Sequence, residues 1–493
     1  MNAIGLDLGT SGVKAVILSE AGELLAEASV ALEVSRPHPL WSEQAPADWL
    51  AATDKAMREL RARAGAAWHE VTALAIAGQM HGATLLDAAG EVLRPAILWN
   101  DGRSQAQCAE LEAREPATRR ITANRAMAGF TAPKLMWVAE HEPAIFDKIA
   151  TVLLPKDWLV YKLAGVMSSD CSDASGTLWL DVGRRAWSPE MLAASGMRAD
   201  QMPKLYEGPD VVGTLLPRWT DAWGLPDKVA IAAGAGDNAG GAVGVGITTP
   251  GTGFLSLGTS GVIFVATDGP HANPERGVHT FCHALPGVWH QMAVMLSASS
   301  ALSWWCGITG ITPGDLLRSL NPGELRPEAP LFLPYLSGER TPHADPGARA
   351  SFVGMTHATT RDDLSYAVLE GVAFIFADGL QALREAGSAP NRLLAIGGGA
   401  RSDTWLQLMA DTLALTVDRP SGAEVGPALG AARLALRSQG VHGIAKAPAI
   451  ARSFSPNSAS TAVLHRRLQL FRRAYKPLRA LQSNAESTYA ENT

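Results

Sequence analysis

The hexapeptide "LGTSGV" stands at residues 8–13 and again at 257–262, half a chain apart in a sequence of 493 residues. Each copy lies between two alternating apolar runs, "NAIGLDL" and "GVKAVILS" for the first, "GFLSL" and "GVIFVA" for the second. Both therefore read as hairpin turns, and the chain reads as two halves of similar build. The charges were not repeated: Asp7 and Lys14 flank the first turn, where the second has Ser256 and Ile263. Glycine, threonine and serine in a tight turn expose backbone N–H groups and hydroxyls with little bulk, which makes a concavity for phosphate. One such turn usually only reverses the chain. Two at equivalent points give a phosphate chain lying between the halves a cradle from each. The phosphate candidates are Thr10, Ser11, Gly12 and Lys14 on one side, and Gly258, Thr259 and Ser260 on the other. Asp7 sits where the first strand should be apolar, a costly place for an unpaired carboxylate. Beside a phosphate cradle it can hold Mg²⁺, directly or through water.

The rest of the chain alternates strand and helix patterns, which means α/β layers. Residues 46–65 and 364–387 read as helices and 71–78 as a buried strand, while 150–165 read as strand then helix. At 228–247 a strand, a glycine-rich turn and a helix of small residues follow one another. Residues 463–482 put Leu464, Leu468, Phe471 and Tyr475 on one helical face, with arginines read as a solvated face opposite. The boundary is expected near "TTPGTG", giving domains at 1–248 and 249–482 and a tail at 483–493. Apolar residues at 47% and charged residues at 18% are globular values. A net charge of −6 argues against a nucleic-acid surface. The four scattered cysteines suit a reducing cytoplasm better than a disulfide framework or a zinc site. The N-terminal residues show no secretory signal. The uncharged segment "AVMLSASSALSWWCGITGI" holds four serines and reads as a buried helix, so no membrane partner is expected. A homodimer is left open.

Asp237 lies in "GAGDNAGGAVGVG", on a strand-to-helix turn. A carboxylate placed there can take a proton from a bound hydroxyl, the plainer alternative being a helix N-cap. The turn superficially matches a dinucleotide fingerprint at 234–239, but no acidic residue occurs between Asp237 and Asp268 to hold a ribose. A nicotinamide oxidoreductase is thus the minor alternative. Gln79, His81, Trp99, Asn100, Asp101 and Arg103 gather hydrogen-bonding groups and one flat apolar face at strand ends of the first half, a combination suited to a sugar. Gly397, Gly398 and Gly399 allow a flat or phosphorylated ligand close to the backbone. Gly430 and Ala431 allow close helix packing nearby. P-loop, HExxH and nucleophile-elbow motifs are absent, so nucleotide chemistry here needs another cradle.

The strings "GFTAPKLMWVAEH" (129–141) and "ASFVGMTHATTRDDLSYAVLE" (350–370) match both signatures of the FGGY carbohydrate kinases. With "AGQMHGATLLD", "RPAILWNDGR", "LLPKDW" and "FLPYLSGERTPH", the chain most resembles the branch that phosphorylates D-xylulose. The resemblance implies two actin-like, ribonuclease-H-like domains with ATP in the cleft between them. It also implies Mg²⁺, and transfer of the γ-phosphoryl group to a ketopentose hydroxyl, another ketose or a polyol being the alternative acceptor. By the same resemblance Asp237 is the catalytic base, Met80, His81 and Asn238 are sugar contacts, Asp7 is linked to the metal, and Gly397–Gly399 lie at the adenosine.

Overall fold

The computed structural model describes residues 1–490 apart from 322, 422–425 and 444, with side chains to residue 483 outside those positions. Its frame is two seven-stranded sheets. In the first, Asn2–Leu8 pairs antiparallel with Gly12–Ser19, which pairs with Leu24–Ala31. On its other side Asn2–Leu8 runs parallel to Val71–Gly78, followed by Ala230–Ala232 and the antiparallel edge Val211–Thr214. The second sheet repeats this order. Gly253–Leu257 pairs antiparallel with Gly261–Thr267, then Trp289–Met295. It also runs parallel to Arg392–Ile396, followed by Thr416–Pro420 and the antiparallel edge Ile450–Phe454. Two sheets of one strand order form the actin-like arrangement, and each "LGTSGV" turn closes the first hairpin of its sheet.

Strand alternation sends Ile4, Leu6 and Leu8 to a face packed with Trp49, Met57 and Leu60 of the Pro46–Ala64 helix. The opposite face carries Ala3, Gly5 and Asp7, and small residues cover it: Ala239 and Val243 of the Asp237–Gly244 helix, and Ala428, Ala431, Ala432 and Ala435 of the Pro427–Ser438 helix. The latter helix belongs to the second half of the chain yet packs on the first sheet. A Cβ on Gly5 would lie 1.9 Å from the Ala428 carbonyl oxygen, and one on Gly430 would lie 1.7 Å from that of Gly240. Only glycine permits these backbone contacts. Close packing at Gly430 and Ala431 is as expected, and it joins the two halves across this face.

The second core centres on the 25-residue Arg361–Glu385 helix, capped by Thr360 and Asp363. By length and composition it alone could cross a membrane among the described residues, but 94% of its apolar window is buried in the protein. The segment "AVMLSASSALSWWCGITGI" is instead the end of the Trp289–Met295 strand followed by the Ser299–Thr309 helix. Leu464, Leu468 and Phe471 of the last helix are buried as expected. Its arginines are not simply a solvated face: Arg467 is buried against Glu370 (2.7 Å), and Arg472 reaches Asp378 (2.6 Å). The last helix runs from Ser458 to Ala490, so the expected tail begins within it, and residues 491–493 lie outside the described residues.

Candidate active site

The two turns have different surroundings. In the second, the carbonyls of Gly258 and Thr259 are consumed by the backbone N–H groups of Ser299 (2.9 Å) and Ala298 (3.0 Å) at the start of the Ser299–Thr309 helix. Thr259 and Ser260 remain exposed. Gly397, at φ +88°, stacks on this turn: a Cβ there would lie 2.9 Å from the Leu257 carbonyl. Gly399 is closed in by Leu257, Trp405 and Ser299, while Gly398 alone faces open space. Of the three glycines, then, two are required by packing and one is open to a ligand.

In the first turn Ser11 is exposed, and the Thr10 hydroxyl is already engaged. It donates to Gln79 Oε1 (2.9 Å) and accepts from Trp99 Nε1 (2.9 Å). A hydroxyl has one proton, so Thr10 has only its backbone N–H left for phosphate. Gln79 is buried between Thr10 and Gln44, so it braces the turn and is not free for a sugar. Lys14 stands opposite Asp7 in register, and its ammonium pairs with Glu27 (2.9 Å) rather than pointing freely into the cleft.

Asp7 ends the central strand on its small-residue face. Its Oδ1 is buried without a hydrogen-bond partner among the described residues. Burial, then the charge of Asp237, push its carboxyl up to about 7 against the pull of Lys14. Asp237 is the first residue of its helix; Gly236 is the N-cap, and no side chain caps the end. Asp237 is thus not the N-cap residue, although its side chain does take up one free N–H of the helix end. Its Oδ1 accepts from the backbone N–H (2.7 Å) and side-chain amide (2.9 Å) of Asn238, so Asn238 orients the carboxylate. Burial raises Asp237 to about 6, opposed by these two donors. Two buried carboxylates, one with an orphaned oxygen, are a donor set suited to a hard divalent cation.

A cavity of about 510 Å³ is lined by both halves. His81, at φ +70°, is held there by a 2.6 Å hydrogen bond between Nδ1 and the Gly176 carbonyl. A non-glycine residue in the left-handed region stores strain, a frequent property of functional sites. Because a carbonyl only accepts, Nδ1 carries the ring proton. Burial keeps the ring neutral, lowering it to about 3. Nε2 is therefore a bare acceptor. Trp99, Asn100 and Asp101 also line the cavity. Of the other sugar candidates, Gln79, Met80, Arg103, Asp237 and Asn238 are not in its lining. Met80 is buried, wedged against Gly176 and Gly236. Arg103 is buried between Asp101 (2.7 Å), Glu43 (2.7 Å) and the Trp41 ring (3.6 Å), away from the lining. Asp101 spends its oxygens on Arg103 and on the Ser42 N–H, so this pair shapes the wall instead of presenting two free ligands. The glycines of the supposed dinucleotide turn have local reasons as well. A Cβ on Gly234 would lie 1.9 Å from the Ile76 carbonyl, and one on Gly236 would meet Met80.

The second half supplies His279, Glu339 and Arg340 to the same cavity. No sequence pattern assigned them, although a Glu–Arg pair inside the otherwise apolar "FLPYLSGERTPH" was a visible signal.

Residues 2–244 match the N-terminal domain of the FGGY family of carbohydrate kinases, and residues 253–438 match its C-terminal domain. The chain belongs to the FGGY family. The xylulose kinase of Escherichia coli (strain K12) is 50% identical over 486 residues, 97% of this chain and all of that protein. The crystal structure of a xyloylose kinase from Brucella ovis superposes with a TM-score of 0.95 at 48% identity, covering 98% of this chain and 100% of that one. The xylulose kinase of Rhodospirillum rubrum gives 0.91 at 29% identity over 98% and 100%. This FGGY kinase is thus an enzyme that phosphorylates a sugar, built on the two-domain fold read from its repeated turn.

Proposed function

We propose that this kinase transfers the γ-phosphoryl group of ATP to D-xylulose, giving D-xylulose 5-phosphate and ADP, with Asp237 as general base. The observation that carries the reading is Asp237 itself: a buried carboxylate whose Oδ1 is held by Asn238 and whose charge reaches Asp7, at the end of the strand leading into the first phosphate-type turn. The identity to xylulose kinases over nearly the whole chain supports the choice of sugar.

The sugar lies in the cavity with His81 Nε2 accepting from one hydroxyl and Trp99 offering its face. Asn238 holds Asp237 Oδ1, which leaves Oδ2 for the attacking hydroxyl. As that oxygen bonds to the γ-phosphorus and the bond to the β-bridging oxygen breaks, the hydroxyl proton passes to Asp237 Oδ2. A pKa near 6 makes Asp237 a stronger base than an ordinary carboxylate while leaving it mostly ionised at neutral pH. Phosphoryl transfer of this kind depends chiefly on positioning and on neutralising charge. The phosphates would rest on Ser11, Gly12 and the Thr10 N–H from one side and on Gly258, Thr259 and Ser260 from the other, with the adenosine along Gly398. Mg²⁺ would be held chiefly by Asp7, beside Asp237, because Asp7 Oδ1 is buried without a donor among the described residues, and there it would offset phosphate charge. A domain division near residue 248, a cytoplasmic location consistent with four buried free thiols, and a homodimer belong to the same proposal.

The test is ADP release measured with D-xylulose, L-xylulose, D-ribulose, xylitol and glycerol. D-xylulose should give the highest kcat/KM. A higher value for ribulose or glycerol defeats the substrate assignment and leaves the family intact.

A further inference from the structure

The sugar contacts proposed above all come from the first half, yet the cavity has a second wall. Arg340 lines it and is held in one orientation by a chain of hydrogen bonds whose directions can be worked out. The Asn124 amide donates to the Thr122 (2.8 Å) and Thr280 (2.7 Å) carbonyls, so its Oδ1 is the acceptor facing His279. His279 Nδ1 therefore donates to Asn124 Oδ1 (3.2 Å). Burial keeps this ring neutral, so Nε2 accepts from Arg340 Nη1 (3.2 Å). One N–H of the guanidinium fork is thereby fixed, and although the Glu339 charge attracts the buried guanidinium, no carboxylate hydrogen-bonds it among the described residues.

Beside it, Glu339 Oε1 accepts the N–H groups of Leu296 (2.9 Å) and Arg340 (2.8 Å). Glu339 Oε2 is buried in the cavity wall with no hydrogen-bond partner among the described residues. Buried polar atoms are ordinarily satisfied. A guanidinium anchored through His279 and an orphaned carboxyl oxygen on one wall mark a place where a polar ligand completes the hydrogen bonding. The wall faces His81 across the Phe130 and Phe281 rings: His81 lies 4.7 Å from Phe130, and His279 stacks on Phe281 at 5.6 Å.

Resting on the sugar-kinase reading above, we propose that Arg340 is an acceptor-sugar contact supplied by the second half, donating to oxygens of an uncharged polyhydroxylated acceptor, and that His279 positions it. Recognition of the acceptor then needs both halves. The wall is also tied to the second phosphate turn. Thr341 and Glu339 bond along residues 294–296, and the next residues, Ala298 and Ser299, hold the carbonyls of Thr259 and Gly258. One short stretch carries the sugar wall and the phosphate cradle together.

The test begins with the wild-type acceptor screen, so that a wrong sugar assignment is seen by itself. The variants are then assayed on whichever uncharged sugar or polyol the wild type phosphorylates best. Arg340→Lys keeps the charge and loses the planar fork, and Arg340→Met keeps the length alone. Each should raise the acceptor KM by about ten- to hundredfold, the usual worth of a hydrogen bond to a charged group. The ATP Kd, measured calorimetrically without sugar, should not change. His279→Asn should raise the acceptor KM in the wild-type background and add nothing to Arg340→Met. Should Arg340→Met not fold, the Arg340→Lys and His279→Asn pair carries the same comparison. An unchanged acceptor KM in the Arg340 variants, or a parallel loss of ATP and acceptor affinity, overturns the proposal.

Discussion

Thr10 joins the first phosphate turn to the sugar wall, and a single substitution separates what that joint does for stability from what it does for recognition. Thr10→Val keeps the shape and removes the hydroxyl, deleting the bond donated to Gln79 and the bond accepted from Trp99. The two losses are unequal. Gln79 is only 2% exposed, and its Oε1 has no other donor among the described residues, so its desolvation should cost about 1–3 kcal/mol. Trp99 is 43% exposed, so its indole N–H can turn to water and the loss to stability there is small. What Trp99 loses is orientation. An anchored ring that becomes free should weaken sugar binding by about 1 kcal/mol, or roughly fivefold in KM. Urea denaturation measures the first effect and sugar KM the second, in wild type, Thr10→Val, Trp99→Phe and the double variant. In the Trp99→Phe background Thr10→Val should still destabilise, through Gln79, but should no longer change the sugar KM. If Thr10→Val changes KM equally in both backgrounds, Trp99 is not held through Thr10 in any way that matters to the sugar.

Three further outcomes are expected. Asp237→Asn should lower kcat by about 10²–10⁴-fold, the worth of a positioned general base, with ATP still bound in calorimetry; near-normal turnover would remove Asp237 from the chemistry. Gly258→Val should fold normally, because a Cβ there meets nothing closer than 3.4 Å, yet it should weaken ATP binding by placing bulk where phosphate approaches; unchanged ATP affinity would make the second turn a structural repeat only. Arg467→Ala should destabilise the protein by about 3–5 kcal/mol, since it leaves Glu370 buried without its cation; this is read by chemical denaturation, and a loss below about 1 kcal/mol, the level of a surface pair, would contradict the burial argument.

Much of the fold was legible because it depends on local pattern. Alternating apolar residues define the two hairpins, small residues define the Asp237–Gly244 and Pro427–Ser438 helices, and the repeated turn announces two equivalent sheets. The functional reading of Asp7 and Asp237 was legible for a related reason. Asp7 stands where an apolar residue belongs and Asp237 inside a glycine-rich turn, so both stand out in the sequence, and burial raises both carboxyls. Arg103 was misread because its partners, Glu43 and Trp41, are far away in sequence, and only folding shows that they consume it. Met80 was assigned by resemblance alone, and its side chain fills the space beside Gly176 and Gly236.

What the sequence determined by itself was the set of elements, the pairing of the two turns, and the residue types able to handle phosphate, metal and sugar. These follow from periodicity and from the chemistry of single side chains. Only the tertiary structure decided which of those residues are free to act. It spent the Thr10 hydroxyl on Trp99 and Gln79, left Gly398 open while Gly397 and Gly399 serve packing, and laid the Pro427–Ser438 helix across the first sheet. It also brought His279, Glu339 and Arg340 to face His81. A hydrogen-bonding group is available to a ligand only after its neighbours in space have taken their share, and those neighbours come from parts of the chain that no local pattern connects.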